Sequence, residues 1–219
     1  MEKITNFLIR FILHVICRID ASQLKAVPEK GPLILVTNHV NFLDAPIIVT
    51  HLRKRSITGL VKEETWENPF LAVLFNIWGG IPVKRGTADF TAYNSALQAL
   101  KSGKILAIAP EGTRTGDGCL IQGQPGVIAL AHRSKAPILP VVYYGGEDFR
   151  KNIKRLKRTN IKIIVGKPFY LNINGNYPGK EERQQIIDEI MYQIANLLPE
   201  QYRGIYCDLE KATTEYVRY

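Results

Sequence analysis

The stretch Asn38-His39-Val40-Asn41-Phe42-Leu43-Asp44 places a carboxylate five residues after an imidazole, directly behind the apolar run Leu33-Ile34-Leu35-Val36-Thr37. That run has the length and β-branched content of a buried strand, so His39 is expected at a strand end. Open α/β sheets keep their chemistry at such ends. Asp44 is near enough for the chain to fold back, so that its carboxylate bonds one ring nitrogen while the other faces a substrate, which makes His39 a general base. Pro46 with Ile47, Ile48 and Val49 predicts a short helix starting near Asp44 that fixes the carboxylate's direction.

Alone, a His near an Asp is usually a surface hydrogen bond; a second polar cluster shifts the reading. The run Ile105-Leu106-Ala107-Ile108-Ala109 predicts another buried strand, and Pro110-Glu111-Gly112-Thr113-Arg114 ends it with a carboxylate, a hinge, a hydroxyl and a guanidinium. Ile81-Pro82-Val83 runs into Lys84-Arg85-Gly86, and two cations beside a glycine suit a phosphate. Without its neighbours this last block would read as an exposed charge pair before a turn.

Asn38-His39, four residues and Asp44, followed by Glu111-Gly112-Thr113-Arg114, resemble the glycerolipid acyltransferase family that includes 1-acylglycerol-3-phosphate acyltransferases. Gly80 to Gly86 is similar to that family's second motif and Ile138-Leu139-Pro140-Val141 to its fourth, all in the family's order across residues 33–142. The resemblance implies an O-acyltransferase that moves a fatty acyl group from an acyl thioester to the free hydroxyl of 1-acylglycerol-3-phosphate, giving phosphatidic acid for phospholipid synthesis. Acyl-CoA or acyl-carrier protein would be the co-substrate, with no cofactor and no metal. His39 would take the hydroxyl proton and Asp44 orient the ring. Lys84, Arg85 and Arg114 would bind the acceptor's phosphate, and Glu111, Gly112 and Thr113 would shape its site, with Glu111 either touching substrate or buttressing the loop. A backbone N–H near Gly112 would serve the oxyanion. A family relative acting on another lysolipid and a non-catalytic basic membrane-binding protein are the alternatives. No Gly-x-Ser-x-Gly elbow is present. Cys119 is the one possible nucleophile near the Glu111 block, so direct transfer in a ternary complex is the expected route.

The chain of 219 residues is long enough for one core, and no linker divides it. A mean hydropathy of −0.07 excludes a polytopic membrane protein. The excess of 29 basic over 20 acidic residues, +9, attracts polyanions: nucleic acid, an anionic bilayer or phosphorylated substrates. Nucleic acid is disfavoured, because no recognition helix, stacking aromatic set or zinc knuckle is legible. Cys17, Cys119 and Cys207 are scattered and odd in number, which fits a reducing cytosol. His14, His39, His51 and His132 lack metal-ligand spacing, and Gly116-Asp117-Gly118 fails the dinucleotide pattern because Ile121 stands where the third glycine belongs.

Near the N-terminus, Asn6, Arg10, His14 and Arg18 recur every four residues against Phe7, Leu8, Phe11, Ile12, Val15 and Ile16. A membrane span needs about 20 apolar residues, and the charges and lack of a cleavage pattern also argue against a signal peptide. Residues 1–20 are therefore expected as an amphipathic helix in the membrane interface, basic face toward the head groups, with packing on the core as the alternative. This would make the protein monotopic or peripheral at the cytoplasmic face of an anionic membrane, with residues 21–219 as the acyltransferase domain. Residues 57–61 read as a strand. Asn68-Pro69 opens a helix, 70–78, apolar nearly all round, which is either core or in contact with something greasy. Thr87 is expected to cap a helix whose core face is Phe90, Ala96, Leu97 and Leu100. The basic run 150–158 reads as a solvated segment that would also suit an anionic membrane or an acidic carrier protein. Strands alternating with helices predict an α/β single domain: a mixed, largely parallel sheet flanked by helices on both faces. The tail from Arg203 carries little signal.

Overall fold

The computed structural model describes residues 1–52, 55–84, 86, 89–173, 175 and 177–219. Its centre is strand β2 (Leu33–Val36), whose four apolar side chains are all fully buried, as both-face packing requires. β2 follows helix α1 (Glu2–Ile16) and edge strand β1 (Cys17–Asp20), and precedes α2 (Asp44–His51) and β3 (Ile57–Lys62). Next come α3 (Pro69–Ile77), β4 (Ile81–Val83), α4 (Phe90–Lys101), β5 (Ile105–Ile108), α5 (Gly126–Ser134) and β6 (Ile138–Tyr144). The chain continues through α6 (Phe149–Lys154), β7 (Thr159–Val165), β8 (Tyr170–Leu171), α7 (Lys180–Ala195) and β9 (Val217–Arg218).

Seven strands form one sheet in the order β1-β7-β6-β2-β5-β3-β4. The pairs from β6 to β4 are parallel; β7 runs antiparallel to β6, and β1 parallel to β7. Alternation along β2 sends Leu33 and Leu35 into a core with Leu13, Ile47, Ile48 and Phe149, from α1, α2 and α6. Ile34 and Val36 face the other core, with Ala96, Leu100, Ile128 and Ile190 from α4, α5 and α7. Because β2, β5, β3 and β4 are parallel, their C-terminal ends share one edge of the sheet, and the loops bearing His39, Glu111 and Lys84 leave from it.

Several expectations are corrected. The N-terminal helix stops at Ile16, and Cys17–Asp20 pairs with β7, so Arg18 is not on the helical stripe. Part of the polar stripe has partners in the protein: half-buried Asn6 accepts at Oδ1 from Trp78 Nε1–H at 2.8 Å, and His14, itself exposed, stacks on His51 at 5.7 Å between centroids. The apolar side is the bare one, with Ile4, Phe7, Leu8, Phe11, Ile12 and Val15 all exposed and only Leu13 buried. Helix α3 is capped as expected, Asn68 accepting from the N–H groups of Phe70 and Leu71, but no residue of it is buried. Thr87 lies outside the described residues; Asp89 caps α4 by accepting from Ala92 N–H at 2.9 Å. Phe90 points to solvent, because the buried face of α4 runs through Ala92, Ala96 and Leu100. The C-terminal tail is well packed: Tyr202 and Tyr206 are buried, β9 pairs with β8, and Glu189 accepts from Thr213 Oγ1–H and from the N–H groups of Glu215 and Tyr216. Short 3-10 turns carry no hydrophobic period, which is why this order was not legible.

Candidate active site

At the end of β2, Asn38 extends the sheet with its side chain. Its amide donates to Tyr143 C=O at 2.9 Å and accepts from Tyr143 N–H at 3.1 Å, an extra rung to β6 that frees the backbone beyond to turn out. Asn41 clamps that turn: its Oδ1 accepts from Leu43 N–H at 2.9 Å and its Nδ2 donates to Gly146 C=O at 2.8 Å. Asp44, the first residue of α2, then points back at His39. The Oδ2 atom accepts from Val40 N–H at 2.9 Å and lies 2.5 Å from His39 Nδ1, while Oδ1 accepts from Asn41 N–H at 2.9 Å. Two backbone donors and the helix N-terminus hold this buried carboxylate in place. An ionised carboxylate can only accept, so the ring proton sits on Nδ1 and Nε2 keeps its lone pair. The His39 side chain is 22% exposed against 6% for Asp44, so the ring can meet a substrate while its partner stays covered.

Glu111 lies at the end of β5, next to β2. Its Oε1 accepts from His39 N–H at 2.7 Å and its Oε2 from Ile121 N–H at 3.2 Å. Each oxygen accepts from a backbone N–H, so this buried residue buttresses the His39 loop. Burial pushes its carboxyl up to about 7, against the two N–H donors that favour the charged form. The same loops are laced again where Thr115 N–H donates to His39 C=O at 2.9 Å and Gly116 N–H to Val40 C=O at 3.0 Å. Thr113 and Arg114 are exposed on the loop between these anchors, on the His39 side of the sheet edge. Gly112 has a positive φ of 68°, which a glycine tolerates, but its N–H donates to Ala109 C=O at 3.0 Å. That N–H is therefore already committed to the turn.

Lys84 follows β4, three strand spacings from β2, roughly 14 Å at the usual inter-strand distance. Its N–H donates to Asp89 Oδ2 at 3.0 Å and its exposed Nζ is 3.9 Å from Glu63 Oε2. Arg85 lies outside the described residues. An apolar cavity of about 180 Å³ opens between this end of the sheet and helices α4 and α5, with Gly112 and Gln124 at one side and Ala92, Ala96, Ile108 and Leu130 in its wall. Cys119 donates its thiol to Gln201 C=O, and burial together with the nearby Asp117 carboxylate pushes its pKa up, which makes it a poor nucleophile. The parts missed in the sequence were Asn38 as a sheet rung, Asn41 as a clamp, Thr115, and Tyr143, whose hydroxyl accepts from Val40 N–H at 3.3 Å. Only Asn41, a turn former in a turn, carried a readable signal.

The sequence model of the Acyltransferase family matches residues 18–144, which include β1 through β6, His39, Asp44 and Glu111. The chain belongs to the Acyltransferase family. Among its relatives is a 1-acyl-sn-glycerol-3-phosphate acyltransferase of Bacillus subtilis, 22% identical over 197 residues, covering 90% of this chain and 96% of that one. An N-acylphosphatidylethanolamine synthase of Arabidopsis thaliana is 28% identical over 166 residues, covering 67% and 58%. A 1-acyl-sn-glycerol-3-phosphate acyltransferase of Borreliella burgdorferi is 28% identical over 125 residues, covering 56% and 50%. The chain thus spans nearly all of the first relative and about half of the other two. In fold, it superposes on the crystal structure of the 1-acyl-sn-glycerophosphate acyltransferase PlsC from Thermotoga maritima with a TM-score of 0.64 at 21% identity, covering 86% of this chain and 76% of that one.

Proposed function

We propose that this acyltransferase moves a fatty acyl group from an acyl thioester to the free hydroxyl of 1-acylglycerol-3-phosphate, forming phosphatidic acid at the cytoplasmic face of an anionic membrane. The observation that carries the reading is the 2.5 Å contact of Asp44 with His39 Nδ1, at a sheet edge that also bears the Glu111–Arg114 loop. Nε2 removes the hydroxyl proton as that oxygen attacks the thioester carbonyl; the tetrahedral intermediate collapses, the C–S bond breaks, and the imidazolium returns the proton to the departing thiolate. Asp44 holds the tautomer and stabilises the imidazolium. General-base help of this kind is worth about 10²–10⁴-fold. Arg114, with Lys84 and Arg85, is assigned to the acceptor's phosphate, Thr113 to its polar surroundings, and the cavity beside Gly112 to an acyl chain, which its apolar wall suits. Acyl-CoA and acyl-carrier protein are both anionic donors, and the net charge of +9 accommodates either.

The membrane side of the proposal rests on α1 and α3. Among the described residues no helix is long and apolar enough to cross a membrane. Six apolar side chains of α1 are exposed, as are Phe70 and Val73 of α3, and apolar surface left bare in this way marks a contact site. Each of those of α1 would gain about 1.5–3 kcal/mol by burial, so the reading is a helix lying on one leaflet, apolar face down. The synthase relative in Arabidopsis favours a second reading for the acceptor, another phospholipid or lysolipid.

The test is thiol release from long-chain acyl-CoA and from acyl-carrier protein, with and without 1-acylglycerol-3-phosphate, for wild type and His39→Ala. Acceptor-dependent release that drops at least a hundredfold in the variant is the expected result. Release indifferent to every acceptor would mark a thioesterase, and release stimulated only by another lysolipid would move the chain to the second reading.

A further inference from the structure

Helix α6 ends in a way that costs the protein something and gains it nothing internally. Leu156 N–H donates to Ile153 C=O at 3.1 Å and Lys157 N–H to Asn152 C=O at 2.9 Å, the paired bonds of a left-handed helix cap. The residue at the centre of such a cap has a positive φ, and glycine or asparagine ordinarily fills it. Here it is a leucine, with φ 54° and 97% of its side chain exposed. A leucine in that conformation is strained by about 1 kcal/mol, and this one has almost no packing to offset it.

Its neighbours share one character. Arg150, Lys151, Lys154, Arg155 and Lys157 are all exposed around it, and Ile153 is 42% exposed. Among the described residues, the ion pair in this group is Lys151 with Asp148, at 3.6 Å. Arg158 is used differently: its guanidinium donates to the carbonyls of His14 and Cys17, the latter at 2.6 Å, closing the C-terminus of α1. The loop therefore sits beside the last turns of α1, where Phe11, Ile12 and Val15 are bare.

We propose that residues 153–158 form a second membrane-docking element, inserting Leu156 into an anionic leaflet while Lys154, Arg155 and Lys157 meet the head groups. The plane of insertion rests on the bilayer reading of α1; the loop's own chemistry does not. A lone protruding aliphatic ringed by cations matches a charged interface over an apolar interior. The contacts of Arg158 tie the loop to the C-terminal end of α1, so both elements can reach one membrane surface.

The test is co-sedimentation with phosphatidylcholine vesicles, with or without phosphatidylglycerol, for wild type, Leu156→Asn, the pair Arg155→Gln and Lys157→Gln, and the pair Phe7→Ser and Phe11→Ser. Asparagine tolerates a positive φ, so Leu156→Asn should unfold at the same temperature as wild type or higher, yet bind both vesicle types about tenfold more weakly. The double glutamine variant should lose about 25-fold on phosphatidylglycerol vesicles, about fivefold for each cation, and almost nothing on neutral ones. Wild-type binding by both loop variants overturns the proposal, and if the Phe7 and Phe11 pair then loses binding, the α1 reading survives without it. Loss in the loop variants with the phenylalanine pair unaffected supports the loop and removes the α1 reading. A KM raised for acyl-carrier protein alone, with vesicle binding intact, would make the loop a protein dock and refute the membrane assignment.

Discussion

Replacing Glu111 by glutamine should remove a loss of stability that wild type suffers as pH rises, while slowing acyl transfer. The carboxyl is raised from an ordinary 4.5 to about 7 by burial. Between those values the native state retains a proton that the unfolded chain has released, so wild-type stability falls as pH rises. The loss is about 1.4 kcal/mol for each pH unit crossed, about 3 kcal/mol in all, complete above pH 7. Glutamine has no such titration. Below pH 4.5 the neutral carboxyl's hydroxyl oxygen can still accept from a backbone N–H while the amide nitrogen cannot, so the variant should trail there by about 1–3 kcal/mol. Crossing to above pH 7 should raise the variant relative to wild type by about 3 kcal/mol, roughly 6–12 °C in Tm for a chain of this size. Activity moves the other way. The amide N–H of the variant must face the N–H of either His39 or Ile121, pushing the His39 loop or the strand-like segment at Ile121 outward. A displacement near 1 Å costs a positioned catalyst about 10²-fold. Denaturant melts at pH 4.5 and pH 8, read beside kcat, give the answer. A stability difference that does not change between those pH values would refute the raised carboxyl, and unchanged kcat would refute the buttress.

Asp44→Asn leaves one of the three donors around that carboxylate facing an NH2 group, so it should cost about 1–3 kcal/mol in unfolding experiments. With the imidazolium unpaired or the tautomer reversed, kcat should fall on the order of 10²–10⁴-fold, and a loss under tenfold would contradict the role assigned. His51 is held neutral by burial, with its Nε2 lacking a hydrogen-bond partner among the described residues. Its folded pKa is depressed, so stability is lost as pH drops below about 6.5, the unfolded value. His51→Leu should flatten that acid limb in thermal melts between pH 7.5 and 5. Asn68→Ala removes the cap of α3 and should lower stability by about 1 kcal/mol, seen as a Tm a few degrees lower.

The His39–Asp44 contact was legible because its signal is local. A strand made wholly of apolar residues must be central, and a carboxylate five residues beyond its terminal histidine has few ways to be used except by folding back. The cations proposed for a phosphate were harder to place: the parallel order puts Lys84 three strands from β2, a separation that no spacing along the chain reveals. The amphipathic period of α1 was plain, but a stripe does not say which side faces in. Trp78, distant in sequence, supplies the polar partner that holds Asn6 against the protein, while Phe7 and Phe11 stay bare.

By itself the sequence determined the main element types, the α/β class, the helix cap at Asn68, the helix start at Asp44 and the His39–Asp44 pair, since each depends on side-chain period or on contacts within a few residues. Tertiary structure alone decided that Glu111 accepts from backbone N–H groups of two loops, that Gly112 N–H is already used, that Asn38 serves as a rung of the sheet, and that α1 and Leu156 present bare apolar surface. Those outcomes depend on which distant groups meet, and that follows from strand order and packing around the two faces of the sheet.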